Sequence, residues 1–250
     1  MFITYGDSRT GLVRKINEDS ISDCAGPFFI LADGMGGYAG GQIASSLAIE
    51  NASDFLKNIQ PDDFSEDILK ESILRANRKI LEIKHENEGL SGMGTTMISS
   101  VIHESSLSWA HVGDSRLYVF REGNLIQLTT DHSFVMELLA EGKITEEEMC
   151  DHPRKNEITR AVGIKESLDV DTGTVHLESG TLILLCSDGL TGMVSEAVIS
   201  QILAGYRTPT RKELVNCGER LFEAVYAAGA HDNVSLILID YWNKENGDRT

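Results

Sequence analysis

An α+β fold, with antiparallel sheets covered by helices, is the class this sequence predicts, and three observations carry it. Apolar runs of strand length meet an aspartate at four places, period-two alternation fills the middle of the chain, and helical periodicity comes in blocks on either side. Blockwise order favours antiparallel sheets under helices, because a parallel doubly wound sheet needs strict strand–helix alternation.

Taken in order, an apolar run over 28–32 reads as a strand that ends at Asp33 in the small-residue turn Asp33-Gly34-Met35-Gly36-Gly37, and 41–57 reads as a helix. Asp63-Phe64-Ser65-Glu66 resembles a capping box opening a helix with apolar Phe64, Ile68, Ile73, Ile80 and Ile83 that runs toward Gly89. Alternation from 94 to 128, with Glu122-Gly123-Asn124 as a hairpin turn, predicts antiparallel strands. Thr145 with Glu148 makes a second capping box within a short helical excursion placed between Ser133 and Gly163. A strand over 182–187 ends at Asp188. Ser195 precedes a helix over 196–204, and Thr210 with Glu213 forms a third capping box before a helix through Leu214, Leu221 and Val225. The last strand, 234–239, follows Asp232. With four prolines and no repeat or low-complexity linker, one domain over 1–241 with a polar tail at 242–250 is the expectation.

A formal charge of −17 over 250 residues argues against nucleic-acid or anionic-membrane partners, which need clustered Lys and Arg. It favours divalent cations instead. Cys24, Cys150, Cys186 and Cys217 are widely spaced, with no Cys-x-x-Cys pair, and free thiols fit a reducing cytoplasm. The segment 1–7 has neither a basic nor an apolar leader region, and no stretch approaches the ~20 apolar residues of a membrane span. A cysteine-dependent phosphatase needs Arg six positions after Cys, where this chain has Ile30, Asn156, Gly192 and Glu223, and no Gly-Lys-Ser/Thr phosphate loop occurs. The segment 34–39 fits a loose Gly-x-Gly-x-x-Ala dinucleotide fingerprint, but Asp33 sets a negative charge beside the pyrophosphate position, and two helices follow where a parallel strand is required.

Asp33, Asp114, Asp188 and Asp232 carry the chemistry. A lone Asp-Gly after a strand is usually only a turn. Four carboxylates at the ends of buried strands converge from distant parts of the chain, and an oxygen-only ligand set suits a hard divalent ion, which points to a two-metal hydrolytic site.

Together with 14–19, 33–37, Gly94-Thr95-Thr96, 112–116, 128–133, Ser187-Asp188-Gly189 and Asp232-Asn233, these aspartates give the chain a strong resemblance to metal-dependent protein serine/threonine phosphatases of the 2C type, especially short bacterial members. The resemblance runs from Thr4 to Asp240. It implies a sandwich of two antiparallel sheets flanked by helix pairs, and a phosphatase acting on phosphoserine and phosphothreonine in proteins by attack of a metal-bridging hydroxide, opposing a Ser/Thr kinase. By the same resemblance Asp33 bridges two Mn²⁺ or Mg²⁺ ions, Asp188 and Asp232 hold the first, the carbonyl of Gly34 holds the second, and Glu18 and Asp19 hold metal-bound waters. Asp114, with Asp188, matches a third, weaker site, and Arg14 matches the phosphate-binding arginine, whose planar fork suits two phosphate oxygens.

The family's histidine general acid has no counterpart, since Met35 and Tyr38 stand at its two usual positions. A metal-bound water, or another histidine such as His132, is then the candidate to protonate the leaving alkoxide. Residues 131–163 match the family's variable flap, where Arg154, Lys155 and Arg160 are either contacts for phosphopeptide acids or a solvated basic face. A catalytically silent metal-binding module that binds phosphoproteins is the competing reading; loss of Asp33, Asp188 or Asp232 would favour it, and all three are present.

Overall fold

The chain order of the computed structural model is β1 (Phe2–Arg9), β2 (Asp19–Ile21), β3 (Phe28–Met35), α1 (Gly40–Leu56), α2 (Glu66–Glu86), β4 (Gly94–Thr95), β5 (Met97–His103), β6 (Ser106–Val112), β7 (Arg116–Arg121) and β8 (Asn124–Gln127). There follow α3 (Phe134–Ala140), α4 (Glu146–Cys150), β9 (Asp171–His176), β10 (Thr181–Cys186), α5 (Asp188–Thr191), α6 (Glu196–Ala204), α7 (Arg211–Ala227) and β11 (Val234–Tyr241). The structure describes residues 1–36 and 40–243; Gly37, Tyr38, Ala39 and the tail at 244–250 lie outside the described residues.

One sheet has the order β1-β11-β10-β7-β8 and the other β2-β3-β5-β6-β9, with β4 on β3, and each strand pair is antiparallel. The faces of the two sheets that meet bury Phe29, Leu31, Ile98, Ile183, Leu185 and Ile237 between them. The outer face of the first sheet packs against α5, α6 and α7, and that of the second against α1 and α2. The layering is helix, sheet, sheet, helix, which is the expected class. Among the described residues no helix is long and apolar enough to cross a membrane.

Local chemistry explains the elements that matter for the site. In α1 the buried stripe is Ala44, Ala48, Ala52 and Leu56, small residues one turn apart that let the helix approach α2 and β3 closely. α2 buries Leu69, Ile73, Ala76 and Ile80. Its cap differs from the expectation. Ser65, not Asp63, is the N-cap, accepting the Ile68 N–H at 3.3 Å, because Pro61–Asp63 is taken up in a separate 3₁₀ turn. Thr145 and Glu148 form the full reciprocal box on α4, whereas Thr210 accepts the Glu213 N–H while the Glu213 carboxylate is turned to Asn216. Ser195 caps α6 by position only, with no side-chain hydrogen bond. At the β7–β8 hairpin Glu122 and Gly123 both have positive φ (52° and 83°), the type I′ geometry that the turn residues suggest.

Three strands are not foreshadowed by apolar alternation. β1 is half-buried throughout and exists by pairing along its whole length with β11; β2 has three residues; β9 places Gly173 under the Trp109 ring.

Candidate active site

Both sheets deliver carboxylates to one end of the sandwich. Asp19 on β2 stands opposite Asp33 on β3 in register. Asp114 lies where the chain passes from β6 in one sheet to β7 in the other, Asp188 opens α5 directly after β10, and Asp232 immediately precedes the Asn233 that leads into β11. Asp33 is not at a strand end followed by a turn, as its sequence suggests: β3 continues through Gly34 and Met35, which pair with Thr95 and Gly94. The glycine is needed for close approach instead. A Cβ on Gly34 would collide with the backbone carbonyls of Gly41 and Glu18, and one on Gly189 would collide with the carbonyl of Asn233.

Hydrogen bonds fix the aspartates from behind. The Asp33 N–H donates to Thr96 Oγ1 (3.0 Å), its carbonyl accepts from Thr95 Oγ1 (2.8 Å) and Thr96 N–H (2.8 Å), and Thr96 is held by Ser115 (2.7 Å). Asp19 Oδ2 accepts from Ser187 Oγ (2.9 Å) and Ser235 Oγ (2.7 Å), hydroxyls of the opposite sheet. Asn233 is the organiser of the loop that carries Arg14. Its Nδ2 donates to the carbonyls of Thr10 (2.9 Å) and Ile16 (3.0 Å), and its Oδ1 accepts the Glu18 N–H (2.9 Å). Arg14 Nη2 then reaches Asp232 Oδ2 at 2.7 Å, while Asp232 Oδ1 accepts the Asn233 N–H.

The electrostatics follow from crowding. Burial, then the neighbouring carboxylates Asp19, Asp188 and Asp114, holds the Asp33 carboxyl well above its ordinary range. Burial raises Asp19 to about 6 and Asp114 to about 7, Asp188 adding to both, and raises Asp188 itself, with Asp232 adding to it. Asp188 is thus the common neighbour of the set. Among the described residues no three His, Cys, Asp or Glu side chains have closed to coordination spacing. The donor set nevertheless fits a hard cation: it is all oxygen, and Glu18 Oε1 and Asp19 Oδ1 are buried carboxylate oxygens without a hydrogen-bond partner. Orphaned acceptors of this kind are stabilised by a cation or its water shell.

A cleft of about 500 Å³ opens beside Asp114, Asp188 and Asp232, with the segment 131–163 as its opposite wall. Of the basic residues there that either contact substrate acids or form a solvated face, two are engaged in ion pairs at the surface. Arg154 is paired with Glu157 (2.6 and 2.5 Å) and stacked on Phe134, and Arg160 is paired with Asp171 (3.0 Å). Lys155 does line the cleft. His132 is not a candidate acid. It is 5% exposed, its Nδ1 accepts the Gly113 N–H (3.1 Å), its Nε2 faces Asp171 (3.1 Å), and its ring lies 4.8 Å from that of His111. Met35 carries no proton donor.

Sequence reasoning assigned no role to Ser187, Ser235 or Asn233 as supports, nor to Asp131, which raises both Asp114 and Asp188 and is itself clamped by Arg116 (2.9, 3.0 and 2.7 Å). Asp131, Ser187 and Asn233 lie inside segments that carry the family resemblance, whereas nothing in the sequence marks Ser235.

A family profile described as Protein phosphatase 2C matches residues 14–223. The serine/threonine phosphatase stp of Listeria innocua serovar 6a is 37% identical over 237 residues, covering 92% of each chain. Protein phosphatase PhpP of Streptococcus pneumoniae serotype 2 is 36% identical over 245 residues, covering 97% of this chain and 96% of its own. The serine/threonine phosphatase PstP/Ppp of Mycobacterium tuberculosis superposes with a TM-score of 0.88 at 34% identity, over 97% of this chain and 99% of that one. A PstP catalytic domain in complex with two manganese ions gives 0.86 at 33%, with the same coverage. Sequence identity at this level on a fold shared from β1 to β11, with the acidic site intact, makes this chain a member of the protein phosphatase 2C family.

Proposed function

We propose that the chain hydrolyses phosphoserine and phosphothreonine in proteins, using Mn²⁺ or Mg²⁺, as one catalytic unit over 1–241 that opposes a bacterial Ser/Thr kinase in the cytoplasm. The observation that carries this is the pair of orphaned carboxylate oxygens on Glu18 and on Asp19, the latter beside Asp33 and Asp188, next to a cleft lined by Asp188 and by Asp232, the ion-pair partner of Arg14. Asp33, Asp188 and Asp232, with the carbonyl of Gly34, would hold two ions, Glu18 and Asp19 their waters, and Asp114 with Asp188 a weaker third. When bound, such ions activate water near neutral pH and neutralise phosphate oxygens.

The chain's own residues do the rest. Arg14, anchored through Asn233 and Asp232, presents two N–H groups to the phosphoryl oxygens and orients the ester for in-line displacement. Thr96, Ser187 and Ser235 keep Asp33 and Asp19 from swinging out of place. Met35 and Tyr38 stand at the family's two histidine positions, so the proton for the leaving alkoxide comes from solvent or from another group at the cleft, where His231 is the exposed imidazole. Three cysteines, Cys24, Cys186 and Cys217, are free thiols, which supports a reducing compartment. Intact Asp33, Asp188 and Asp232 speak against a silent phosphoprotein-binding module.

Phosphate release from a phosphothreonine peptide with Mn²⁺, with EDTA and with Asp188→Ala tests the reading. Turnover is expected for the wild type with metal, with a loss of about 10³-fold or more in the variant. Metal binding without turnover would instead favour the silent module.

A further inference from the structure

We infer that the cleft beside the carboxylates carries a methionine-lined apolar wall that selects phosphoproteins with an apolar side chain next to the phosphorylated residue; this rests on the phosphatase reading above. The wall is built from three separate elements. Met136 comes from α3, Met149 from α4, and Met193 from the segment after α5, and all three line the same cleft as Asp114, Asp188 and Asp232. Val135 extends it.

Core packing does not account for these side chains. Among the described residues, Met136 and Met149 belong to none of the three apolar cores, and Met193 only borders the one beneath α5 to α7. All three are partly buried and keep surface toward the cleft. A phosphate brought to the carboxylate end places the residues on either side of it within this one cavity, so the wall's neighbour is the substrate chain. Its chemistry is apolar. Of the three basic groups that could have read acidic flanks, Arg154 and Arg160 are paired with Glu157 and Asp171, and Lys155 alone lines the cleft beside the methionines. Methionine adds conformational freedom and a polarizable surface, so the wall accepts leucine, phenylalanine or methionine without demanding one shape. That combination gives a class preference rather than a sequence motif.

Two phosphothreonine peptides of equal length, one with leucine and one with glycine on both sides of the phosphoresidue, separate the possibilities when compared with p-nitrophenyl phosphate in Mn²⁺. Wild-type kcat/KM is expected to favour the leucine peptide by about tenfold or more, the size of effect an apolar pocket supplies. In Met136→Gln and Met149→Gln, whose side chains keep nearly the same length, that ratio should fall toward one. Equal rates on the two wild-type peptides would overturn the wall, as would variants that keep the full preference. A preference that grows with enzyme concentration would assign the wall to a second copy of the chain and also overturn it. Failure to hydrolyse even p-nitrophenyl phosphate would overturn the phosphatase reading, and the wall with it. The wild-type comparison needs no variant to fold.

Discussion

Arg14 shows how much one side chain depends on others far along the chain. Its guanidinium lies against Asp232, and its loop is tied at Thr10 and Ile16 by Asn233. If Arg14 grips phosphate as proposed, Arg14→Ala is expected to lower kcat/KM on p-nitrophenyl phosphate by roughly 10- to 100-fold, mostly through KM, through loss of that charge-assisted contact; unchanged kinetics at all substrate levels would count against its phosphate role. His111 makes a different prediction. It is fully buried beside His132, with Asp171 and Arg160 at the outer edge of the pair, and burial pushes its imidazole down to about 3. Its folded value lies below the ordinary one, so the unfolded chain binds the extra proton. Stability from keeping this ring neutral is present above about 6.5 and is lost as pH falls from there toward 3, with a slope of at most about 1.4 kcal/mol per pH unit. Melting curves of wild type and His111→Phe between pH 4 and 7 check this, and the variant should show the shallower slope.

At the scale of elements, a cap and a hairpin turn show where sequence signals suffice. Glu122-Gly123-Asn124 signalled a hairpin turn and forms one, with type I′ geometry, and Thr145 with Glu148 closes its capping box, since both depend only on neighbours within four residues. The start of α2 was shifted by two residues because Pro61 draws Asp63 into its own turn. Ser65→Ala is therefore expected to cost about 1 kcal/mol in a denaturant titration, and Asp63→Ala less than half of that. Equal losses would restore Asp63 as the cap. β1, β2 and β9 could not be read from the chain, because β1 and β9 are held by partners far away in sequence and β2 is only three residues long, none of them having an apolar rhythm of its own.

For the whole molecule, charge is the main lever. Carboxylates from both sheets crowd one end of a chain whose formal charge is −17, so the folded state without a cation bears their mutual repulsion. A cation that binds only the folded site stabilises it by about 2.7 kcal/mol at a hundred times its dissociation constant. The melting temperature is accordingly expected to rise with added Mn²⁺ and to fall back with EDTA in the wild type, and to respond much less in Asp33→Asn. An equal response in both would place the stabilising ion elsewhere.

By itself the sequence determined the fold class, the family resemblance, the all-oxygen donor set and the aspartates that compose it, because these follow from residue type, spacing and local turn chemistry. Tertiary structure alone decided which of those residues meet. It set Ser187 and Ser235 of one sheet behind Asp19 of the other, buried His132 against Gly113 and Asp171, and turned three methionines from separate elements onto one cleft. Each of these joins residues far apart in the chain, and its energy depends on burial and distance that no local stretch of chain encodes.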